Sequence, residues 1–251
     1  MNANDGSPFT LGLDIGGTGL KASVLNRNGQ MTVDRVRVRT PKGCTPTQMV
    51  EALAKLVEPL PAFDRISIGF PGVVRNGSVV TAPNLGTDRW RGFPLQQKLS
   101  ERLGKPARLC NDAEVQGLGI IAGHGLEVVL TLGTGVGSAV FASGSMTPHL
   151  ELAHHPIHKS ETYDEYLGAV VRKKIGTKKW NRRVMNAIGI VYTLLNYDTL
   201  YLGGGNAANV DTKNLPKNVK IEPNDKGIIG GIRLWDDTIW QSARDMGHGH
   251  G

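Results

Sequence analysis

The sequence predicts an α/β protein made of two similar lobes with a cleft between them. A strand–Gly/Thr turn–strand unit occurs twice, and alternating helix and strand patterns follow each copy. The first copy is FTLGLDIGGTGLKASVL and the second LEVVLTLGTGVGSAVFASG, with turns 117 positions apart, from Gly16 to Gly133. The 251 residues suffice to bury a real core. Hydrophobic residues make up 39%, and no apolar run approaches the ~20 residues of a bilayer span, so a membrane protein is excluded.

The elements follow in order. Leu11, Leu13 and Ile15 lead into Gly16-Gly17-Thr18-Gly19, and Leu20, Ala22 and Val24 return to a turn at Asn28-Gly29. A third strand, MTVDRVRVRT, alternates Val33, Val36 and Val38 with polar residues, with one slip of period. Residues 45–58 space Met49, Leu53, Leu56 and Val57 as a helix that Pro59 ends. RISIGFPG reads as a buried strand, PLQQKLSERLG as a helix closed by Gly104, and ARLCN as a short strand. A second cycle opens with DAEVQGLGIIAG as a helix, followed by the second Gly/Thr hairpin. VMNAIGIVYTLL puts Val184, Ile188, Val191 and Leu195 on one helical face, and Asp198–Gly203 is a strand ending in Gly204-Gly205-Asn206. GGIRLWDDTIWQSARD reads as a turn and a terminal helix, and the tail GHGHG as disordered. The expected lobes are residues 1–111 and 112–236, with a terminal helix of about 237–251 packing back on the first.

Charge is localised. Against 22 Asp+Glu stand 29 Lys+Arg, a formal net charge of +7. The stretch RKKIGTKKWNRR carries seven cations and no acid: Arg172, Lys173, Lys174, Lys178, Lys179, Arg182 and Arg183. The remaining chain is therefore charge-balanced. A block of like charge repels itself and suits a polyanion, although a solvated surface is the plainer reading. Trp180 within it suggests packing or stacking on something. Nucleic acid, a membrane surface and polyphosphate all stay open on charge alone. The two cysteines, Cys44 and Cys110, exclude a disulfide scaffold and a zinc site of three or four cysteines. MNANDGSPFT lacks the basic and apolar regions of a secretory signal, so a cytoplasmic protein is expected.

Three motifs carry chemistry. Asp14-Ile15-Gly16-Gly17-Thr18 leaves a strand into a turn where backbone N–H groups can converge on an anion, and Asp14 can hold Mg²⁺ through water. Its partner is Thr131-Leu132-Gly133-Thr134-Gly135-Val136-Gly137. Neither is a Walker A motif or a Rossmann fingerprint, since a strand follows and no GK[ST] ending exists. Asn111-Asp112 ends a strand at the junction of the two cycles, where a carboxylate can take a proton from a hydroxyl; Asp112 also reads as the N-cap of the next helix. Glu151, His154, His155 and His158 have helical metal-site spacing, but Pro156 breaks such a helix. An extended segment presenting Glu151 and His154 suits sugar hydroxyls instead.

Together these residues resemble the ROK family of sugar kinases: Asp14 to Thr18, Asn84 in TAPNLGTDRW, Asn111-Asp112, Thr131 to Gly137, Glu151-x-x-His154 and Leu202 to Asn206. KKWNRR, YLGGGNA, LPKNVKI and NDKGIIGGIRLW are similar to that family's polyphosphate-using glucokinase branch. The resemblance implies duplicated actin/hexokinase-type (ribonuclease-H-like) lobes and phosphorylation of glucose at O6. Asp112 would be the base, and Asn84, Asn111, Glu151 and His154 would hold the sugar, with Glu165 or Asp164 completing the site. Gly16, Gly17, Thr18, Lys21, Thr134, Gly135, Gly137 and Gly203 to Gly205 (Gly203, Gly204, Gly205) would hold the donor, with Mg²⁺ near Asp14. Lys178, Lys179, Arg182 and Arg183 would bind inorganic polyphosphate, with ATP as a second candidate donor. An ATP-dependent glucokinase or glucomannokinase is the alternative.

The family's zinc cluster CxCGxxGC is missing, so no zinc is expected, and Ala153 stands where a Gly usually precedes the histidine. No helix-turn-helix segment precedes residue 9, which points away from the family's repressors. A homodimer without nucleic-acid or membrane partners is the further expectation.

Overall fold

The structure, a computed structural model, describes residues 8–222 and 229–245. The tail GHGHG and the last residues of the expected terminal helix lie outside the described residues. The chain divides into two compact units: one runs through Gly119 and resumes with the C-terminal segment, and the other starts at Ile120.

The first unit opens with β1 (Thr10–Ile15) and β2 (Gly19–Leu25), followed by β3 (Val36–Arg39) and α1 (Pro46–Val57). Thr45 caps α1 in a reciprocal capping box with Gln48, a device that stabilises a helix by ~1 kcal/mol. Next come β4 (Arg65–Phe70), a small ribbon of β5 (Val74–Arg75) and β6 (Ser78–Val79), α2 (Thr87–Trp90), α3 (Leu95–Leu103), β7 (Ala107–Asn111) and α4 (Asp112–Leu118). The sheet order is β3-β2-β1-β4-β7, with β1, β4 and β7 parallel and the hairpin strands antiparallel.

One face of this sheet buries Leu11, Leu13, Ile15, Ile66, Ile68 and Phe70 in a core with α1, α3 and Trp90. Its other face carries small residues, among them Gly12, Ser67 and Gly69, which let helices approach closely. Polar bonds lock the arrangement: Ser67 Oγ donates to the Gly231 carbonyl, and the Arg108 guanidinium to that of Leu234. Arg108 also lies 4.4 Å from the Trp235 ring centroid and 4.9 Å from that of Trp240.

The second unit repeats the plan. It contains β8 (Leu126–Leu132), β9 (Val136–Ala142), β10 (Ser145–Met146), the ribbon β11 (Pro156–His158) and β12 (Glu161–Thr162), and three helices, α5 (Tyr163–Leu167), α6 (Ala169–Ile175) and α7 (Thr177–Leu195). β13 (Thr199–Gly203) and β14 (Val219–Ile221) complete a sheet of order β10-β9-β8-β13-β14, the same pattern of hairpin and parallel strands as in the first. The C-terminal helices α8 (Gly230–Arg233) and α9 (Asp237–Asp245) then return to the first unit.

Several expectations shift. The division falls after Gly119, beyond Asn111, because α4 packs on β4, β7 and α8 of the first unit. The return of the chain begins near Ile229, ahead of the expected 237, because Gly230 and Gly231 sit against Val115 and Ser67. α4 stops at Leu118, well short of Gly123. The third strand starts only at Val36, and Val33 and Val38 are exposed on this edge of the sheet. Trp180 does not face the cations around it: it is fully buried, with its indole N–H donating to the Leu167 carbonyl at 2.7 Å.

Candidate active site

In the first unit the Gly16–Gly19 turn closes at the carboxyl end of β1, where the Gly16 N–H donates to the Gly19 carbonyl at 2.9 Å. Thr40 pins the turn from outside, its hydroxyl donating to the Gly16 carbonyl at 2.5 Å. The N–H groups of Gly17 and Thr18 have no backbone acceptor among the described residues, so they can serve an anion. Gly17 is required by close approach: a Cβ there would lie 2.8 Å from the Asn84 Cβ. Asn84 is thereby held against the turn, with its side chain exposed. Asp14 and Lys21, direct partners across the β1–β2 ladder, form an ion pair at 2.7 Å with both side chains near half exposed.

Asn111 and Asp112 sit on adjacent strand and helix ends, but their roles differ from the expectation. The N-cap of α4 is Asn111, not Asp112: the Asn111 carboxamide oxygen accepts from the Ala113 N–H at 2.8 Å, and Glu114 returns the capping box. The Asn111 amide donates to the carbonyls of Gly72 and Phe70, and the residue is 5% exposed. Its polar atoms therefore hold the strand–helix corner. Asp112 is the first helical residue, half-buried, with Oδ1 accepting from the Ala113 N–H at 2.8 Å. A Cβ placed on Gly69 would come within 3.3 Å of the Asp112 Cα, so Asp112 stands over the turn end of the sheet, on the face that carries Asp14.

In the second unit the Gly133–Gly137 turn is tighter, with the Gly133 N–H donating to the carbonyl of Gly135, two residues on, at 2.9 Å. Thr131 Oγ1 accepts from the Gly137 N–H, and Thr134 is exposed. The Gly203-Gly204-Gly205 turn lies directly beside it. Gly204 has φ +82°, and a Cβ would collide with the Leu132 carbonyl at 2.5 Å. Asn206, 8% exposed, fastens the two turns, its amide donating to the Gly133 carbonyl at 2.9 Å. Arg172 Nε in turn donates to the Asn206 carboxamide oxygen at 3.2 Å, and the Ala169 N–H donates to the carbonyls of Gly133 and Thr134. The basic segment is thus bonded to the glycine turns. Asn206 and the role of Arg172 were legible in the sequence only as members of a glycine motif and a charge run.

The seven cations divide by environment. Arg172 and Arg183 are half-buried; Arg183 lies 4.2 Å over the Tyr166 ring and donates to the Tyr166 carbonyl. Arg183, expected to bind donor, is a packing residue of the α5–α7 corner. Lys173, Lys174, Lys178, Lys179 and Arg182 are exposed on the end of α6 and the first turns of α7, with no ion pair among the described residues. Lys178 and Arg182 are four residues apart on the solvent face, opposite buried Trp180 and Val184.

Glu151 and His154 lie in an extended and turning segment before Pro156 starts β11, so helical metal spacing does not arise. Among the described residues no group of three or more His, Cys, Asp and Glu is placed to hold a metal ion. Burial pushes the Glu151 carboxyl up, but His149 at 3.5 Å, the Ala153 N–H and nearby His154 together hold it below the usual carboxylate range. His149, 7% exposed on its side chain, carried no motif signal. His154 is exposed.

The two candidates for the last sugar position separate clearly. Glu165 caps α5, its Oε2 accepting from the Thr162 N–H at 2.9 Å, which holds its carboxyl low. Asp164 turns the other way: Oδ1 accepts from the Val136 N–H at 2.6 Å, and the carboxylate fills the space where a Gly135 side chain would stand. Burial raises the Asp164 carboxyl, outweighing that hydrogen bond. A carboxyl raised on folding favours the fold below its unfolded value of about 3.9 and loses that contribution as pH climbs through the folded value. Asp164→Asn keeps the acceptor and removes the charge. The variant is expected to melt higher than wild type at pH 7, with the difference closing below about pH 4; calorimetry across this range checks it.

Two sheets of one strand order, each with a Gly/Thr hairpin at the carboxyl end of its first strand, define the actin/hexokinase-like class of α/β proteins. Within it the chain belongs to the ROK family, whose family model matches residues 10–155. Over 209 residues the chain is 31% identical to the polyphosphate glucokinase of Mycobacterium tuberculosis, covering 80% of this chain and 78% of that one. The inorganic polyphosphate/ATP-glucomannokinase from Arthrobacter sp. strain KM superposes with a TM-score of 0.80 at 28% identity, covering 92% of this chain and 99% of that one. A ROK family glucokinase from Streptomyces griseus, in complex with glucose and AMPPNP, shares the fold with a TM-score of 0.74 at 18% identity, over 91% and 99% of the two chains.

Proposed function

We propose that this protein phosphorylates glucose at O6, with inorganic polyphosphate as its principal phosphoryl donor and ATP as a second. The sugar-kinase reading is supported by family membership and by relatives named as a polyphosphate glucokinase and a polyphosphate/ATP-glucomannokinase. The donor reading is carried by one observation: the cationic α6–α7 segment is hydrogen-bonded through Arg172 and Asn206 to the Gly133 turn. A chain of phosphates held by the exposed lysines would end at a turn suited to its terminal group.

Asp112 takes the proton of the attacking 6-hydroxyl. The Ala113 N–H orients its carboxylate at the N-terminal end of α4. Glu151, held charged by His149 and Ala153, accepts from sugar hydroxyls, and His154 and Asn84 add polar contacts. Asn111 acts by fixing the corner that carries Asp112. The N–H groups of Gly17, Thr18, Thr134 and Gly135, which have no backbone acceptor among the described residues, bind phosphoryl oxygens. Catalysis in such a site is positioning with charge neutralisation.

A single half-exposed carboxylate beside phosphate-binding N–H groups fits Mg²⁺, which usually takes one or two carboxylates and completes its shell with water and substrate phosphates. Asp14 would hold the ion, which neutralises donor charge, and Lys21 would release Asp14 toward it. Among the described residues no helix is long and apolar enough to cross a membrane.

Product identity tests the sugar half. Phosphorus NMR is expected to show the 6-phosphate of glucose as the sole new monoester, and Glu151→Gln should raise KM for glucose by about tenfold, the loss of ~1.4 kcal/mol. A product phosphorylated at C1, or a Glu151→Gln enzyme with unchanged KM, would contradict this assignment.

A further inference from the structure

A row of side chains crosses the first sheet at its turn end. The register sets Asp14 beside Gly69 on one side and Lys21 on the other, with Arg37 opposite Lys21 and Arg39 opposite Gly19. Cross-strand partners share a face. Asp14, Lys21 and Arg37 therefore project to the face on which Asp112 stands over Gly69, and Arg39 shares this face two residues along β3. Successive strands lie about 4.8 Å apart, so Arg37 is about 10 Å from Asp14, directed away from Asp112.

The charges in this row are unbalanced. Lys21 is engaged by Asp14, while Arg37 and Arg39 are exposed and have no ion pair among the described residues. Placing Arg37 directly across from Lys21 sets like charges face to face, an arrangement that weakens a sheet. Thr40, next to Arg39, pins the Gly16–Gly19 turn through its hydroxyl and its N–H, so the arginines are fixed relative to the turn that would receive the reacting phosphate.

We propose that Lys21, Arg37 and Arg39 form a second polyphosphate-binding row, on the first unit, that holds a stretch of the polyanion. The inference rests on the reading that polyphosphate is the donor. It adds a subsite separate from the cations of α6 and α7. The ligand is a linear polyanion of repeating charge, which can meet Lys21, Arg37 and Arg39 in succession.

The test is a titration of long-chain inorganic polyphosphate into the full chain without sugar, as a function of salt. It compares wild type, Arg37→Gln/Arg39→Gln, Lys178→Gln/Lys179→Gln/Arg182→Gln, and all five substitutions together. The edge-strand pair is expected to weaken polyphosphate binding about tenfold or more in both backgrounds, and to lower the salt slope by about 2, near one for each phosphate left without its arginine. Arg37→Lys/Arg39→Lys should restore most of the affinity. Affinity within twofold of the parent in both backgrounds would overturn the row. So would a variant that self-associates with unchanged polyphosphate affinity, because the arginines would then only guard an exposed edge. Glucose phosphorylation with polyphosphate as sole donor, run on wild type alongside, reports separately on the donor reading.

Discussion

Asp112→Asn is expected to lower kcat for glucose phosphorylation by about 10²–10⁴-fold, the usual worth of a positioned general base. KM for glucose should change little, because Asn retains the shape and hydrogen-bonding reach of Asp. The fold should survive as well. The N-cap of α4 is Asn111, which the substitution leaves intact, and an asparagine oxygen at 112 can still accept from the Ala113 N–H. An equal loss with polyphosphate and with ATP would place the defect at the hydroxyl, the step both donors share. Retention of more than a tenth of wild-type kcat would remove Asp112 from the role of base.

The second large effect separates the donors. Neutralising Lys178, Lys179 and Arg182 together is expected to reduce kcat/KM for polyphosphate by about 10–100-fold, at ~0.5–1 kcal/mol per exposed contact. Turnover with ATP should stay within about threefold, since these three side chains lie on the solvent face of α7 and away from the core. Arg183 is left out because its guanidinium covers the Tyr166 ring and bonds the Tyr166 carbonyl; replacing it would loosen the α5–α7 corner and damage both activities. Polyphosphate use by wild type should fall as ionic strength rises, and this dependence should flatten in the triple variant. Equal losses with both donors would count against a polyphosphate site on this helix.

Much of the fold is legible in the sequence because local signals agree with it. The glycine turns interrupt apolar runs where only a hairpin can form, and Pro46, Thr45 and Gln48 write the start of α1 in full. The duplication is visible because both turns repeat the same residue types at the same place in a strand–turn–strand unit. What stayed hidden depends on long-range packing. Trp180 looks like a ligand platform in a run of cations, yet the helical period places it with Val184, Ala187 and Ile188 on the core side of α7. Asn111 and Asp112 are both good capping residues, and only the strand register decides which one ends β7. The difference between Asp164 and Glu165 is a helical turn direction: one residue caps α5 and its neighbour reaches the Val136 N–H.

The charge distribution shows the same limit. Subtracting the α6–α7 run leaves the remaining chain neutral in sum, which hides any second cluster balanced by acids elsewhere. Lys21, Arg37 and Arg39 are separated by up to eighteen positions and meet only through the β2–β3 ladder. Arg172 and Arg183 are indistinguishable in sequence from their five exposed neighbours, and it is their bonds to Asn206 and Tyr166 that set them apart.

Which phosphoryl donor the protein uses can be measured directly. The direct measurement is the initial rate of glucose 6-phosphate formation by the purified full chain with Mg²⁺, glucose and nucleotide-free inorganic polyphosphate as sole donor, set beside the same reaction with ATP. The expected result is sustained turnover with polyphosphate, at a kcat/KM per chain above that with ATP. Turnover with ATP alone, and none with polyphosphate at any chain length, would contradict it and leave a nucleotide-dependent sugar kinase carrying an unexplained cationic helix.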